Sequence, residues 1–233
     1  MVLNEALFFG FVILDLFLAL IFLKIWGKTG IVVFYVIHII MSQVTVKMQI
    51  TLFGFTTIFG SILFAVLFLC TDIITEHFGK EEGYKTVNIG VASLIFFILV
   101  VQTALLFIPS STNQVIGSFK NLFVDQWRIV ISDIVISYLL IQKFDVWFFH
   151  KIAEWTKNKY LWLRNNLSTW TSQTITAILF FQAAFAGTIP QSILWQIIFV
   201  GLVMKLIVAL FDTPYIYLSY WFLPNNIKRS VKN

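Results

Sequence analysis

The chain has 233 residues, of which 59% are hydrophobic and 12% charged, and its net charge is +5 at neutral pH. A soluble domain carries about 25% charged residues, so this is the composition of an integral membrane protein, and the apolar runs leave no room for a soluble catalytic or nucleotide-binding domain. The basic residues are scattered through loops and termini, which points to lipid headgroups and topology as their partners and away from direct nucleic-acid binding.

In chain order, apolar runs and breakers mark seven segments: Ala6 to Trp26, Ile31 to Lys47, Ile58 to Thr75, Val87 to Ile108, Arg128 to Phe149, Thr169 to Ala186 and Ile193 to Phe222. None shows the alternation of a membrane β-barrel, so the expected fold is an all-α bundle of seven transmembrane helices. The N-terminus lacks the basic region and cleavage site of a signal peptide, so its first run is expected to remain. The short link Trp26-Gly27-Lys28-Thr29-Gly30 predicts a tight helical hairpin between the first two segments. Pro214 predicts a kink or break near Asp212 in the last, which is long for one span.

Positive charge gathers on the cytoplasmic side of short loops. With seven spans, twelve Lys and Arg residues fall on one side, and Lys47, Lys120 and Arg128 fall on the other. Lys205 lies inside the last span. The bias predicts a multi-pass protein of the cell membrane with its N-terminus outside and its C-terminus in the cytoplasm.

Within this frame Asp72 and Glu76 share one helix face at the inner end of the third segment. A carboxylate at a membrane-helix centre costs roughly 2.5 to 3.5 kcal/mol on insertion scales, so such residues usually face a cavity, a partner or the headgroups. Gln142, Asp145, the Arg164-Asn165-Asn166-Leu167-Ser168-Thr169 stretch and Asp212 fall toward the same side. Gln43, Lys47, Asp133 and Lys205 belong to the outer half. Polar residues at both mouths of one bundle are what a solute pathway requires.

Each candidate also has a plainer reading. Gln142 and Asp145, next to Lys143, could tether a helix end; Arg164, Asn165 and Asn166 could contact headgroups and cap the sixth span. Ser168, Thr169, Ser172, Gln173 and Thr176 form a stripe suited to helix contact, in which Gln173 fits least, because a buried amide needs several partners. Lys205 could offset Asp133 or face a ligand. Catalysis lacks its parts: His38, His77 and His150 lie on separate segments, Cys70 stands alone, and no hydrolase, metal or nucleotide motif occurs, so neither a cofactor nor a metal is expected.

Five stretches together carry a resemblance: K-M-Q-I-T-L-F-G from Lys47, F-L-C-T-D-I-I-T-E-H-F-G-K-E-E from Phe68, Q-K-F-D-V-W-F-F from Gln142, L-W-L-R-N-N-L-S-T-W-T-S-Q from Leu161, and Lys205 followed by A-L-F-D-T-P-Y-I-Y-L from Ala209. In order and spacing, from about residue 33 to 222, they resemble the queuosine precursor transporter family. That resemblance implies import of a deazaguanine base, a queuosine or archaeosine precursor salvaged for tRNA modification. It also implies a six-helix core, residues 31–223, similar to the substrate-binding components of energy-coupling-factor transporters. Residues 1–30 would then be an extra N-terminal helix and 224–233 a cytoplasmic tail. An energy-coupling module or a second copy of the chain stays open as a partner beside the lipid bilayer. The rivals are a membrane scaffold or assembly protein and an importer of a different small polar solute.

One departure stands out. The family continues S-Q-x-x-D-T in the sixth span, whereas this chain reads S-Q-T-I-T-A, with Thr176 in place of the acid. A guanine-like edge offers two adjacent donors to a carboxylate and a carbonyl to a Gln or Lys. Asp72, Glu76, Asp133 or Asp212 could take the first role, and Gln43, Gln173 or Lys205 the second.

Overall fold

The computed structural model describes residues 2–224. The tail assigned to the cytoplasm, with Lys228, Arg229 and Lys232, lies outside the described residues apart from its first position. The described chain is predominantly helical: α1 (Val2–Thr45), α2 (Gly60–Phe78), α3 (Lys80–Leu106), α4 (Ile116–Phe123), α5 (Gln126–Ser132), a π-helical segment (Asp133–Gln142), α6 (Lys143–Trp155), α7 (Leu161–Phe185) and α8 (Gln191–Phe222). By length and composition α1, α2, α3 and α8 are long and apolar enough to cross a membrane.

Although α1 reads as one helix, Gly27 inside it has φ 61° and ψ −137°, a conformation close to a region that only glycine visits freely. The chain folds back there. Phe22 packs against both Trp26 and Phe34 with ring centroids 5.1 Å apart, and His38 on the second arm meets Asp15 on the first. The expected hairpin is therefore formed within α1.

The expectation of an all-helical chain needs correction. Between α1 and α2 stand two short antiparallel strands, β1 (Gln49–Leu52) and β2 (Phe55–Ile58), paired from Gln49 with Ile58 to Leu52 with Phe55. Their two-residue turn places Phe53 at φ 51° and Gly54 at φ 82°, the double positive φ that suits strand twist. The N-terminus of α1 clasps this hairpin. Asn4 Nδ2 donates to the Thr51 carbonyl at 2.9 Å, and the Phe53 amide donates to Glu5 Oε1 at 2.7 Å.

The bundle is built around α2, which packs against α1, α3, α6, α7 and α8. Every residue from Gly60 to Thr75 is buried, as expected of a helix apolar all round. A side chain on α2, Asp72 included, thus faces protein. Large apolar residues of α3, such as Phe96 and Leu99, point outward, where lipid can cover them.

Several helix ends differ from those read in the sequence: α3 begins at Lys80 rather than the expected Val87, and α6 runs on to Trp155 beyond the expected Phe149. α7 begins at Leu161, eight residues before the expected Thr169, and the polar residues Arg164, Asn165, Ser168 and Thr169 are buried within it instead of lying at the water interface. α8 passes through Pro214 without a break. The missing proline N–H leaves one carbonyl of the preceding turn without its usual donor, a loss that neighbouring residues can absorb in a long helix.

Candidate functional site

A cavity near the β hairpin draws on six elements. The second arm of α1 supplies Ser42, Gln43 and Val46, β2 supplies Ile58, α2 supplies Ser61 and Phe64, and the π-helical segment supplies Asp133 and Ser137. Thr176, Phe180 and Phe181 come from α7, and Lys205 from α8. At Gly60 even a Cβ would lie only 2.6 Å from the Ser42 carbonyl, so a glycine is what lets α2 start against α1 beside the cavity. About 20 Å³ is open to the centres of water-sized molecules, enough for one water and too little for a heterocycle until the walls part.

The polar groups here converge. The Gln43 side-chain amide donates to Asp133 Oδ2, and Ser137 Oγ donates to Asp133 Oδ1 at 2.6 Å. Gln126 of α5 braces Gln43, donating to its backbone carbonyl at 2.9 Å and its Oε1 at 3.2 Å. The Lys205 ammonium lies 4.7 Å from the Phe64 ring centre and 5.7 Å from that of Phe181, within the field of Asp133. Cation–π attraction and the carboxylate together offset the cost of its burial. The result is a carboxylate, a primary amide and an ammonium set against two aromatic faces, all inside the bundle.

The π-helical segment helps produce this arrangement. Winding wider than an α-helix redirects successive side chains, and such turns recur at functional sites. Asp133, Ser137, Tyr138 and Gln142 are all buried along it.

A second polar group lies toward the opposite end. Asp72, Asp145, Ser168 and Ser172 are all fully buried. Thr169 Oγ1 reaches Asp72 Oδ2 at 3.4 Å, while Asp72 Oδ1 and both Asp145 oxygens have no hydrogen-bond partner. Gln142 accepts from the Tyr35 hydroxyl, but its Nε2 is unpartnered. Asn165 and Gln173 are also buried, with neither side-chain polar atom paired. Asp212 is buried nearby, within the field of Asp15.

Next to this group is a latch. Arg164 of α7 donates through one guanidinium nitrogen to both oxygens of Glu76, Tyr220 of α8 donates to the same carboxylate, and the guanidinium lies 5.4 Å from the Phe149 ring centre. His77 and Ser219 make a further contact at 2.6 Å.

The candidates read from the sequence thus separate. Gln43, Asp133 and Lys205 meet in the cavity; Asp72, Gln142, Asp145, Ser168, Thr169 and Asp212 belong to the second polar region. Arg164 and Glu76 form the latch, which corrects the headgroup reading of Arg164. Asn166 caps no helix, since it lies inside α7 and donates to the Trp162 carbonyl at 2.8 Å and to Thr213 Oγ1 at 2.7 Å. Gln142 and Asp145 are fully buried, so they do not sit at a water interface. Lys47 stands apart from the cavity, donating to the Asn121 carbonyl at 3.4 Å. Sequence reasoning missed Gln126, Tyr35 and the Asp15–His38 pair. Asp133 and Ser137 at an i, i+4 spacing were the available hint of the cavity.

A bundle of long apolar helices that encloses polar groups beside aromatic rings is an arrangement a membrane transporter can use, and the family match assigns the chain to that class. The chain belongs to the family described as "Putative vitamin uptake transporter", whose model matches residues 58–219, from the end of β2 through most of α8. It is 28% identical over 229 residues to a Bacillus subtilis (strain 168) protein named "Probable queuosine precursor transporter", covering 97% of this chain and 99% of that protein. No solved structure matches it at a significant level.

Proposed function

We propose that the chain imports a deazaguanine base, a precursor of queuosine or archaeosine, across the cell membrane. The observation that carries this is the meeting of Asp133, Gln43 and Lys205 in one cavity that Phe64 and Phe181 also line. Asp133 accepts the ring N–H and exocyclic amine of the base, the Gln43 amide or Lys205 donates to its carbonyl, and the phenyl rings cover its faces. Thr176, where the family pattern has an acid, lines the same cavity, so Asp133 supplies a carboxylate from the π-helical segment instead.

The membrane arrangement consistent with this is seven crossings: the two arms of α1, then α2, α3, the α5 to α6 rod, α7 and α8. The uneven distribution of Lys and Arg orients them with the N-terminus outside, so the β hairpin faces the exterior and the Arg164–Glu76 latch the cytoplasm. In the domain reading, 1–30 forms an additional helix on a six-helix core of 31–223, resembling energy-coupling-factor substrate-binding components, with a cytoplasmic tail from 224. Solute enters when the hairpin and the α1 terminus part, and leaves when the latch end rearranges, as in alternating access.

A second reading keeps the same cavity but another small polar solute, and it is favoured by Thr176 at the acid position. The two separate in a strain that cannot make the precursor and lacks its own importer. Expression of this chain with cyano-deazaguanine in the medium should restore queuosine in tRNA. No queuosine despite verified membrane expression would exclude the deazaguanine reading.

A further inference from the structure

One face of α7 carries a buried polar stripe from the cavity to the latch. It runs from Thr176 in the cavity wall through Ser172, Thr169 and Asn165, spaced four, three and four apart, and ends at Arg164. Two contacts register α2 against this face: Thr169 meets Asp72 at 3.4 Å, and Arg164 meets Glu76, one turn further along α2. The Arg164 guanidinium, 5.4 Å from the Phe149 ring centre, registers α6, which a five-residue link joins to α7 as an antiparallel neighbour. Asp145, one turn before Phe149, is thereby level with Ser168, one turn beyond Arg164. Asp72, Asp145 and Asn165 thus belong to one layer, centred about 10 Å along α7 from Thr176.

Hydrogen-bonding capacity in this layer is open. Neither oxygen of Asp145, neither polar atom of Asn165, and not Oδ1 of Asp72 has a partner. Arg164 holds Glu76 through Nη2 alone, which leaves Nε and Nη1 open as well. The four residues are at most 2% exposed. Buried polar atoms in a native fold are nearly always paired, so a set of open ones calls for an occupant. Among the described residues no group of three or more His, Cys, Asp or Glu is placed to hold a metal ion, and the charge of Arg164 opposes a cation. Donors and acceptors are mixed here, which suits a solute whose own edge mixes them. Asp145 can accept two adjacent donors, while Asn165 or the open guanidinium edge donates to a carbonyl. The cavity sets two phenyl rings beside its polar groups, whereas the Phe149 ring is taken by Arg164, so the inner hold is the weaker.

We propose that this layer is a second solute site, of lower affinity, which the imported base occupies between the cavity and the latch. It rests on the importer reading.

The test is equilibrium dialysis of purified full-length protein against radiolabelled cyano-deazaguanine. Two saturable sites per chain are expected, the second at least tenfold weaker than the first. Asn165→Leu, close in volume but without polar atoms, should keep the tight site and lose the weak one, and Asp145→Asn should weaken the same site. Asp133→Asn should lose the tight site and keep the weak one. A single saturable site in the wild type, a second component that never saturates, or two sites in a folded Asn165→Leu protein overturns the inner site and leaves the importer reading standing. Absence of any wild-type binding overturns both. The wild-type stoichiometry decides even if the variants do not fold.

Discussion

His38 Nε2 lies 2.9 Å from both carboxylate oxygens of Asp15, although the two residues are 23 apart in the chain. A straight helix would hold them about 34 Å apart. The contact ties the two arms of α1 together in the membrane, and His38 Nδ1 is meanwhile 2.9 Å from the Phe34 carbonyl. Removing one partner, as in Asp15→Ala, should cost about 3 to 5 kcal/mol because the other is left buried and alone. Replacing both with leucine should cost much less. Thermal unfolding in detergent of the two single variants and the double variant checks this; equal losses in all three would mean the pair does not act as a unit.

The hairpin also depends on Gly27. Gly27→Val should destabilise by about 1 to 3 kcal/mol, since a β-branched residue resists its backbone conformation. Gly30→Val should be worse, because a Cβ there runs into the Phe22 carbonyl. A lowered melting temperature and a reduced folded yield are the readouts.

Much of the helical architecture was legible, because lipid imposes long apolar runs and Gly27 and Gly79 punctuate them. Hydropathy marks where a helix is apolar, so it truncated α7 at Thr169, whose preceding polar turns are buried against protein and not exposed to water. The β hairpin was hidden because its turn begins with Phe53, a residue that seldom takes positive φ. In the site, types of residue were readable and their convergence was not. Gln43 and Asp133 are 90 residues apart, and only the packing of α1 on the π-helical segment brings them into one hydrogen bond.

The latch makes a distinction between Arg and Lys. Arg164→Lys preserves charge but loses the planar guanidinium that meets Glu76 and covers Phe149, so it should still lose transport at least tenfold. Uptake at matched membrane expression measures this, and full activity of the lysine variant would reduce the latch to a simple charge pair.

Thr176 and Asp133 line one cavity, which permits a relocation test. Asp133→Asn should abolish uptake, and adding Thr176→Asp should restore part of it by returning the acid to the position used in the family pattern. Thr176→Asp alone should weaken transport, since two carboxylates would then crowd the cavity. Uptake of labelled base by the three variants gives the ordering.

The most direct measurement is equilibrium binding to purified protein of cyano-deazaguanine and of the same base without its exocyclic amine. A charged hydrogen bond is worth about 1.5 to 3 kcal/mol, so the wild type should prefer the amine-bearing base by roughly tenfold to a hundredfold, and Asp133→Asn should lose both affinity and preference. Unchanged affinity and preference in a folded Asp133→Asn protein would contradict the assignment of this cavity as the base-binding site.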